Sequence, residues 1–133
     1  MPILDSDIII AYFRNITKAV KIIDNLILEK INLKTTIFNV AELYKGAYLS
    51  SKVEENLKQI EEFLENITII EFSIQDAIKF AQISAELRKK GETVGDFDEL
   101  IASITINNKE TIFTRNTSHY ERIPQLSYKN WEK

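Results

Sequence analysis

Short apolar runs alternate with longer stretches in which apolar residues recur every three or four positions, the pattern of strands alternating with amphipathic helices. Pro2-Ile3-Leu4 has the size of a buried strand and is ended by the polar triplet Asp5-Ser6-Asp7. An apolar helical turn or two follows over residues 8–13. Asn15 or Thr17 is the expected cap of the next helix, whose apolar positions are Ala19, Ile22, Ile23, Leu26 and Ile27. Lys34-Thr35-Thr36-Ile37 is a short strand candidate. Val40, Leu43, Tyr44 and Ala47 then take helical spacing, and Val53, Leu57, Ile60 and Leu64 repeat it. The Lys/Glu-rich residues 52–65 between these positions are most simply a solvated face.

Residues 66–72 are the clearest strand, β-branched and bounded by polar residues. Ser73 with Asp76 opens a helix in capping-box fashion. Its apolar stripe is Ile74, Ile78, Ala81 and Ala85, and Gly91 ends it after Arg88-Lys89-Lys90. Asp96-Phe97-Asp98-Glu99 opens a further helix, with Asp96 and Glu99 spaced as a second capping box. Thr111-Ile112-Phe113-Thr114 is a strand, and Leu126-Ser127-Tyr128 a last short one. Strands alternating with helical segments imply an α/β fold, a three-layer α/β/α sandwich on a mainly parallel sheet. The length of 133 residues, without linker, repeat or low-complexity stretch, corresponds to a single domain over residues 1–133.

Composition removes several chemistries. With no cysteine, thiolate nucleophiles, disulfides and cysteine metal sites are excluded. With one histidine, His119, a two-histidine ribonuclease mechanism is impossible; a lone loop histidine is ordinarily solvated. A net charge of −3 argues against a broad nucleic-acid-coating basic surface, though not against a local basic rim around a metal-loaded acidic centre. No apolar run approaches the ~18–20 residues of a membrane span, and no signal peptide is visible, so a cytoplasmic location is expected.

The remaining polar residues fall at strand–helix junctions. Open parallel sheets bind ligands beyond the carboxyl ends of their strands. Asp5 ends the first strand; Arg115 and Asn116 follow the strand ending at Thr114; Glu42 lies in the first turns of the helix after Thr35–Ile37; Asp98 lies in the first turn of its helix. If these junctions share one sheet edge, three carboxylates converge, and they repel unless a hard cation lies between them. Oxygen ligands of this kind suit Mg²⁺ or Mn²⁺ rather than zinc. Removing one charge relieves the repulsion, so Asp5→Asn and Asp98→Asn are each expected to leave metal-free stability equal or higher. Each residue also has an ordinary role: Asp5 or Asp7 as a turn or cap residue, Asp96 as a cap, Asp98 as a complement to the helix dipole, Asn116 as a turn residue.

Taken together, these segments resemble the PIN domain family, and within it the VapC toxin branch. Leu4-Asp5-Ser6-Asp7 is similar to the family's opening strand and Asp. Val40-Ala41-Glu42-Leu43-Tyr44-Lys45-Gly46-Ala47 is similar to its helix motif with Glu followed by Leu and Gly. Asp96-Phe97-Asp98-Glu99-Leu100-Ile101-Ala102 resembles its D-x-L-I-A motif. Phe113-Thr114-Arg115-Asn116, with His119-Tyr120, Ile123, Leu126 and Trp131, resembles its closing stretch. Each motif is weakly specific alone; four in order over residues 3–131 are strongly so.

The resemblance implies a metal-dependent ribonuclease in which Asp5, Glu42 and Asp98 hold Mg²⁺, or Mn²⁺, and Asn116 completes the catalytic set where many members carry Asp. Asp7 stands where Asn is more usual. Asp96 and Asp7 are auxiliary candidates, Ser6 and Thr114 candidates for positioning water or phosphate, and Arg115 either steers the RNA backbone or pairs with a neighbouring carboxylate. The implied partners are an RNA substrate, a cognate antitoxin and a second copy in a homodimer, without a membrane. Two alternatives within the family remain open: a housekeeping nuclease of RNA maturation and a non-catalytic binding scaffold. A phosphoacceptor module needs Asp at the end of its central strand, where Ile70-Glu71-Phe72-Ser73 has none.

Overall fold

A computed structural model describes residues 2–133. The chain runs β1 (Pro2–Leu4), α1 (Ser6–Phe13), α2 (Thr17–Leu28), β2 (Lys34–Thr36), α3 (Ile37–Leu49), α4 (Val53–Leu64), β3 (Thr68–Ile70), α5 (Ile74–Lys90), α6 (Asp96–Asn107), β4 (Thr111–Thr114), α7 (Thr117–Tyr120) and β5 (Ser127–Asn130). The strands form one sheet in the order β3-β2-β1-β4-β5, and every neighbouring pair is parallel. Every strand therefore ends at the same edge. The chain winds outward from β1 through β2 to β3, then crosses to β4 on the opposite side. The point where the winding reverses lies between β1 and β4.

Alternation along the strands builds one apolar layer on each face of the sheet. Ile3 pairs with Ile112 in register, and both point into a core with Ile83, Leu87, Ile101, Ala102, Tyr120 and Ile123. Leu4 pairs with Phe113, and both face the other core, with Ile8, Ile9, Ala19, Ile23, Leu43, Ala47 and Ile60. Helices α1–α4 cover that side, and α5, α6 and α7 the first. The result is the expected three-layer sandwich, with a sheet that is parallel throughout. Among the described residues, no helix is long and apolar enough to cross a membrane.

Several local expectations are corrected. Neither Asn15 nor Thr17 caps α2; Ile16 holds that position without a side-chain bond. Asn15 instead adopts a left-handed backbone, φ 59°, in the turn between α1 and α2, a conformation Asn tolerates better than most residues. Ile37 belongs to α3 because Thr36, with Asn39, forms that helix's capping box. The strand expected over 66–72 narrows to Thr68–Ile70, the length matched by its sheet neighbour, β2.

The stripe assigned to α5 is turned outward: Ile74 is 78% and Ile78 54% exposed, and Ala81 and Ala85 are exposed too. The helix buries Asp76, Ile83 and Leu87 instead. Ile83 and Leu87 join the apolar cluster on this side of the sheet, and Asp76 adds a bond across to α6. Its carboxylate accepts the Ser73 N–H at 3.0 Å and the Asn107 side-chain N–H at 2.9 Å, which pins that face of α5 against α6. Gly91 ends the helix as expected, with a left-handed φ of 69°.

Candidate metal centre

The candidate carboxylates lie at the starts of three helices at the carboxyl edge of the sheet: α1 directly after β1, α3 directly after β2, and α6, whose far end leads into β4. Their positive dipole ends favour carboxylates at this edge. Asp5 is the N-cap of α1, and its Oδ1 accepts the Ser6 N–H at 2.8 Å. Its capping role and its place at the winding reversal coincide. Glu42 stands in the second turn of α3, and Asp98 in the first turn of α6.

Burial pushes the Asp5 carboxyl from its ordinary 3.8 up to about 7; Asp7 and Glu42 add to the rise, while Thr114 and the Ser6 amide oppose it. The Glu42 carboxyl is also raised, first by burial and then by Asp98 and Asp7, against the Ser6 hydroxyl and Lys45. Four carboxylates thus act on one another across this edge. The buried Tyr120 hydroxyl is raised well above its usual range, by burial first and then by Asp5, Asp98, Glu42 and Asp7. Among the described residues, no three of these side chains are gathered as a ready-made cation cage. The donor set of carboxylate oxygens, without sulfur or a gathered imidazole cluster, fits a hard divalent cation.

The hydroxyls and amides around the carboxylates serve to aim them. Ser6 Oγ donates to Glu42 Oε1 at 3.0 Å. Thr114 Oγ1 donates to Asp7 Oδ2 at 3.0 Å and accepts the Asn116 N–H at 3.0 Å. Both hydroxyls donate to carboxylates of this edge, so each aims a carboxylate, and each keeps acceptor capacity for water. Asp7 is a tie: Oδ2 also accepts the Arg115 N–H at 3.0 Å, and Oδ1 accepts the Trp131 indole N–H at 2.8 Å. It joins α1 to the end of β4 and to the chain's last turn.

Asp96 is exposed, and its capping-box role is overturned. Gly95 is the cap of α6, and the carboxylate of Glu99 reaches back to the Val94 and Gly95 N–H groups at 3.3 and 3.2 Å. Arg115 pairs loosely with Glu132 at 3.9 Å, both side chains about half exposed. Such a pair adds little stability and leaves the guanidinium at the surface.

Two important residues escaped the sequence reading. Asn39 is wholly buried; its Nδ2 donates to Asp5 Oδ1 at 2.7 Å and to Ser6 Oγ at 3.0 Å, while its Oδ1 accepts from Thr36. The T-x-x-N spacing of a capping box was the available signal. His119 is not simply solvated: Nδ1 lies 2.8 Å from Asp98 Oδ2. Asn116 Nδ2 lies 3.2 Å from the same oxygen. These contacts also separate the two expected stability gains. Asp98 is compensated by its donors and by the α6 dipole, about 0.3–1 kcal/mol for the latter. Asp5 also has two donors and caps α1, but burial outweighs them and keeps its carboxyl raised, so it alone of the two keeps the expectation of a gain on neutralisation.

Asp7→Ala tests whether that side chain is a tie or a ligand. It should lower stability by about 1–3 kcal/mol, because the nearly buried Trp131 loses its acceptor. Divalent-ion binding should persist. Unchanged urea unfolding together with lost metal binding would identify Asp7 as a ligand instead.

An all-parallel sheet with an acidic centre at its winding reversal defines the class, and comparison with known proteins agrees. The model of the PIN domain matches residues 3–125, so the chain belongs to the PIN domain family. Ribonuclease VapC2 of Rickettsia felis is 37% identical over 94 residues, covering 71% of this chain and 70% of that protein. The tRNA(fMet)-specific endonuclease VapC of Salmonella typhimurium is 34% identical over 108 residues, covering 77% and 82%. In the structure of the Rickettsia felis VapBC2 complex bound to promoter DNA, a chain superposes with a TM-score of 0.89 at 28% identity, covering 98% of each chain.

Proposed function

We infer that the chain is a ribonuclease of the VapC toxin type, one half of a toxin–antitoxin pair, that hydrolyses RNA phosphodiester bonds with Mg²⁺, or Mn²⁺ in its place. The carrying observation is the placement of Asp5, Glu42 and Asp98 at the helix starts along the carboxyl edge of the parallel sheet, each aimed by donors of its own. Asp5 and Asp98 would hold the cation, with Glu42 directly or through water. A divalent ion there supplies Lewis acidity, acidifying an attacking water and neutralising charge on the phosphate oxygens. The protein's own groups do the rest. Asn39 and the Ser6 amide orient Asp5, the Ser6 hydroxyl orients Glu42, and His119 with Asn116 orients Asp98. The exposed Arg115 guanidinium, close to the centre through its backbone bond to Asp7, is suited to a backbone phosphate of the RNA.

The test is cleavage of purified RNA, with initiator tRNA as the first substrate because a relative is named for it. Wild type should cut in Mg²⁺, and Asp98→Asn should reduce cutting by several orders of magnitude while unfolding as a native-like domain. RNA binding without cleavage in wild type would support the scaffold reading. The antitoxin is supported by the solved complexes of related pairs.

We also propose a homodimer. Its support is the outward row Ile74, Ile78, Ala81 and Ala85 on α5, apolar surface that the fold leaves uncovered. Light scattering should return twice the chain mass of 15.4 kDa, and Ile78→Asp should shift it toward the single value. A wild-type reading of one chain mass at micromolar concentration would reject the dimer.

A further inference from the structure

We propose that His119 is a positioning residue for the metal centre: with Asn116 it clamps one carboxylate oxygen of Asp98, so that the other oxygen is the one presented to the cation. The inference rests on the reading of Asp98 as a metal ligand.

The geometry is a convergence on one atom. His119 Nδ1 lies 2.8 Å and Asn116 Nδ2 3.2 Å from Asp98 Oδ2, and the two nitrogens are 3.0 Å apart. An ionised carboxylate only accepts hydrogen bonds, so the hydrogen sits on Nδ1 and both nitrogens donate to Oδ2. Their closeness to each other follows from sharing that acceptor. Asp98 Oδ1, by contrast, has one weak partner, the Tyr120 hydroxyl at 3.5 Å. The carboxylate therefore has a saturated oxygen and an open one.

The clamp stands on rigid parts. Asn116 precedes α7 and accepts the His119 and Tyr120 N–H groups at 3.3 and 3.4 Å on its carbonyl. Tyr120 is wholly buried in the core under α6 and holds this short helix in place. His119 and Asp98 thus belong to elements with a common packing contact. Left alone, an Asp carboxylate rotates over a broad well about its last torsion. Two donors from a fixed turn remove that freedom before the cation arrives. Outer-shell partners of this kind typically change metal affinity by about 10–100-fold.

The experiment is Mn²⁺ titration of the full chain by isothermal calorimetry, with thermal unfolding in chelator alongside. It uses wild type, Asp98→Asn, His119→Ala and His119→Asn. Asparagine keeps a side-chain N–H near the place of Nδ1 and removes the rest of the ring. His119→Ala should weaken Mn²⁺ about tenfold or more while unfolding close to wild type, and His119→Asn should recover most of the loss. Wild-type Mn²⁺ affinity in His119→Ala would overturn the inference, even with reduced RNA cleavage, since the ring would then serve the RNA. His119→Asn as weak as His119→Ala would overturn the donor role. A wild type that does not bind Mn²⁺, or an Asp98→Asn variant that binds it as well as wild type, would overturn the underlying reading of Asp98 instead.

Discussion

Asp5→Asn is expected to abolish RNA cleavage and, in the absence of metal, to raise stability at pH 8 by about 4 kcal/mol. The cause is the cost of keeping a charge on a buried carboxyl whose folded value is pushed up to about 7, against 3.8 ordinarily. Below about pH 4 this carboxyl is protonated in both folded and unfolded chains, and the difference vanishes. Between about pH 4 and 7 the unfolded chain releases the proton and the folded chain keeps it, so wild-type stability falls as pH rises. Above about 7 the full penalty is present. The bonds from Ser6 and Asn39 to Oδ1 survive, since the amide oxygen of Asn accepts both. Urea unfolding in chelator at pH 8 and pH 4.5 separates the readings. A gain at pH 8 that shrinks at pH 4.5 supports the buried-charge account; a loss at both would make Asp5 a cap residue only.

Adding Mg²⁺ should reverse that penalty. A cation between the carboxylates favours their ionised forms, so the Asp5 charge becomes stabilising once the ion is bound. At a Mg²⁺ concentration one hundred times the dissociation constant, the folded state gains about 2.7 kcal/mol, roughly 10 °C in Tm for a domain of this size. The gain should be absent in Asp5→Asn and in Asp98→Asn. Cleavage should follow Mg²⁺ and Mn²⁺ and fail in Ca²⁺, which seeks six to eight oxygens where this edge offers few. Full cleavage by verified metal-free protein in excess chelator would sink the metal mechanism. Unshifted melting with intact Mg²⁺-dependent cleavage would place the ion on the RNA rather than on the carboxylates.

Most of the architecture was legible because hydrophobic period reports secondary structure directly. The alternation of strand-sized apolar runs with helical spacing located the elements, and the parallel sheet followed. Boundaries shifted where one side chain took on a capping duty, as Thr36 did at the start of α3. Orientation was the weaker inference. Ile74, Ile78, Ala81 and Ala85 have helical spacing, yet Asp76, Ile83 and Leu87 face the core, where Ile83 and Leu87 join the apolar cluster and Asp76 bonds Asn107 of α6. Spacing reports a stripe but not which of two stripes a neighbour will cover.

The sequence by itself determined the chemistry available: no thiolate, a single imidazole, and carboxylates placed where strands end. It also carried the family resemblance, which the match over residues 3–125 bears out. Only the tertiary structure decided how those carboxylates divide their work. Asp7 is consumed by Thr114, Arg115 and Trp131, residues more than a hundred positions away, and so becomes a tie. Asp5 is buried under Asn39 and driven up in pKa, while Asp98 is held by His119 and Asn116. These assignments depend on which donors the fold delivers to each oxygen. A carboxylate's role is set by its hydrogen-bond partners and its burial, and neither is a property of local sequence.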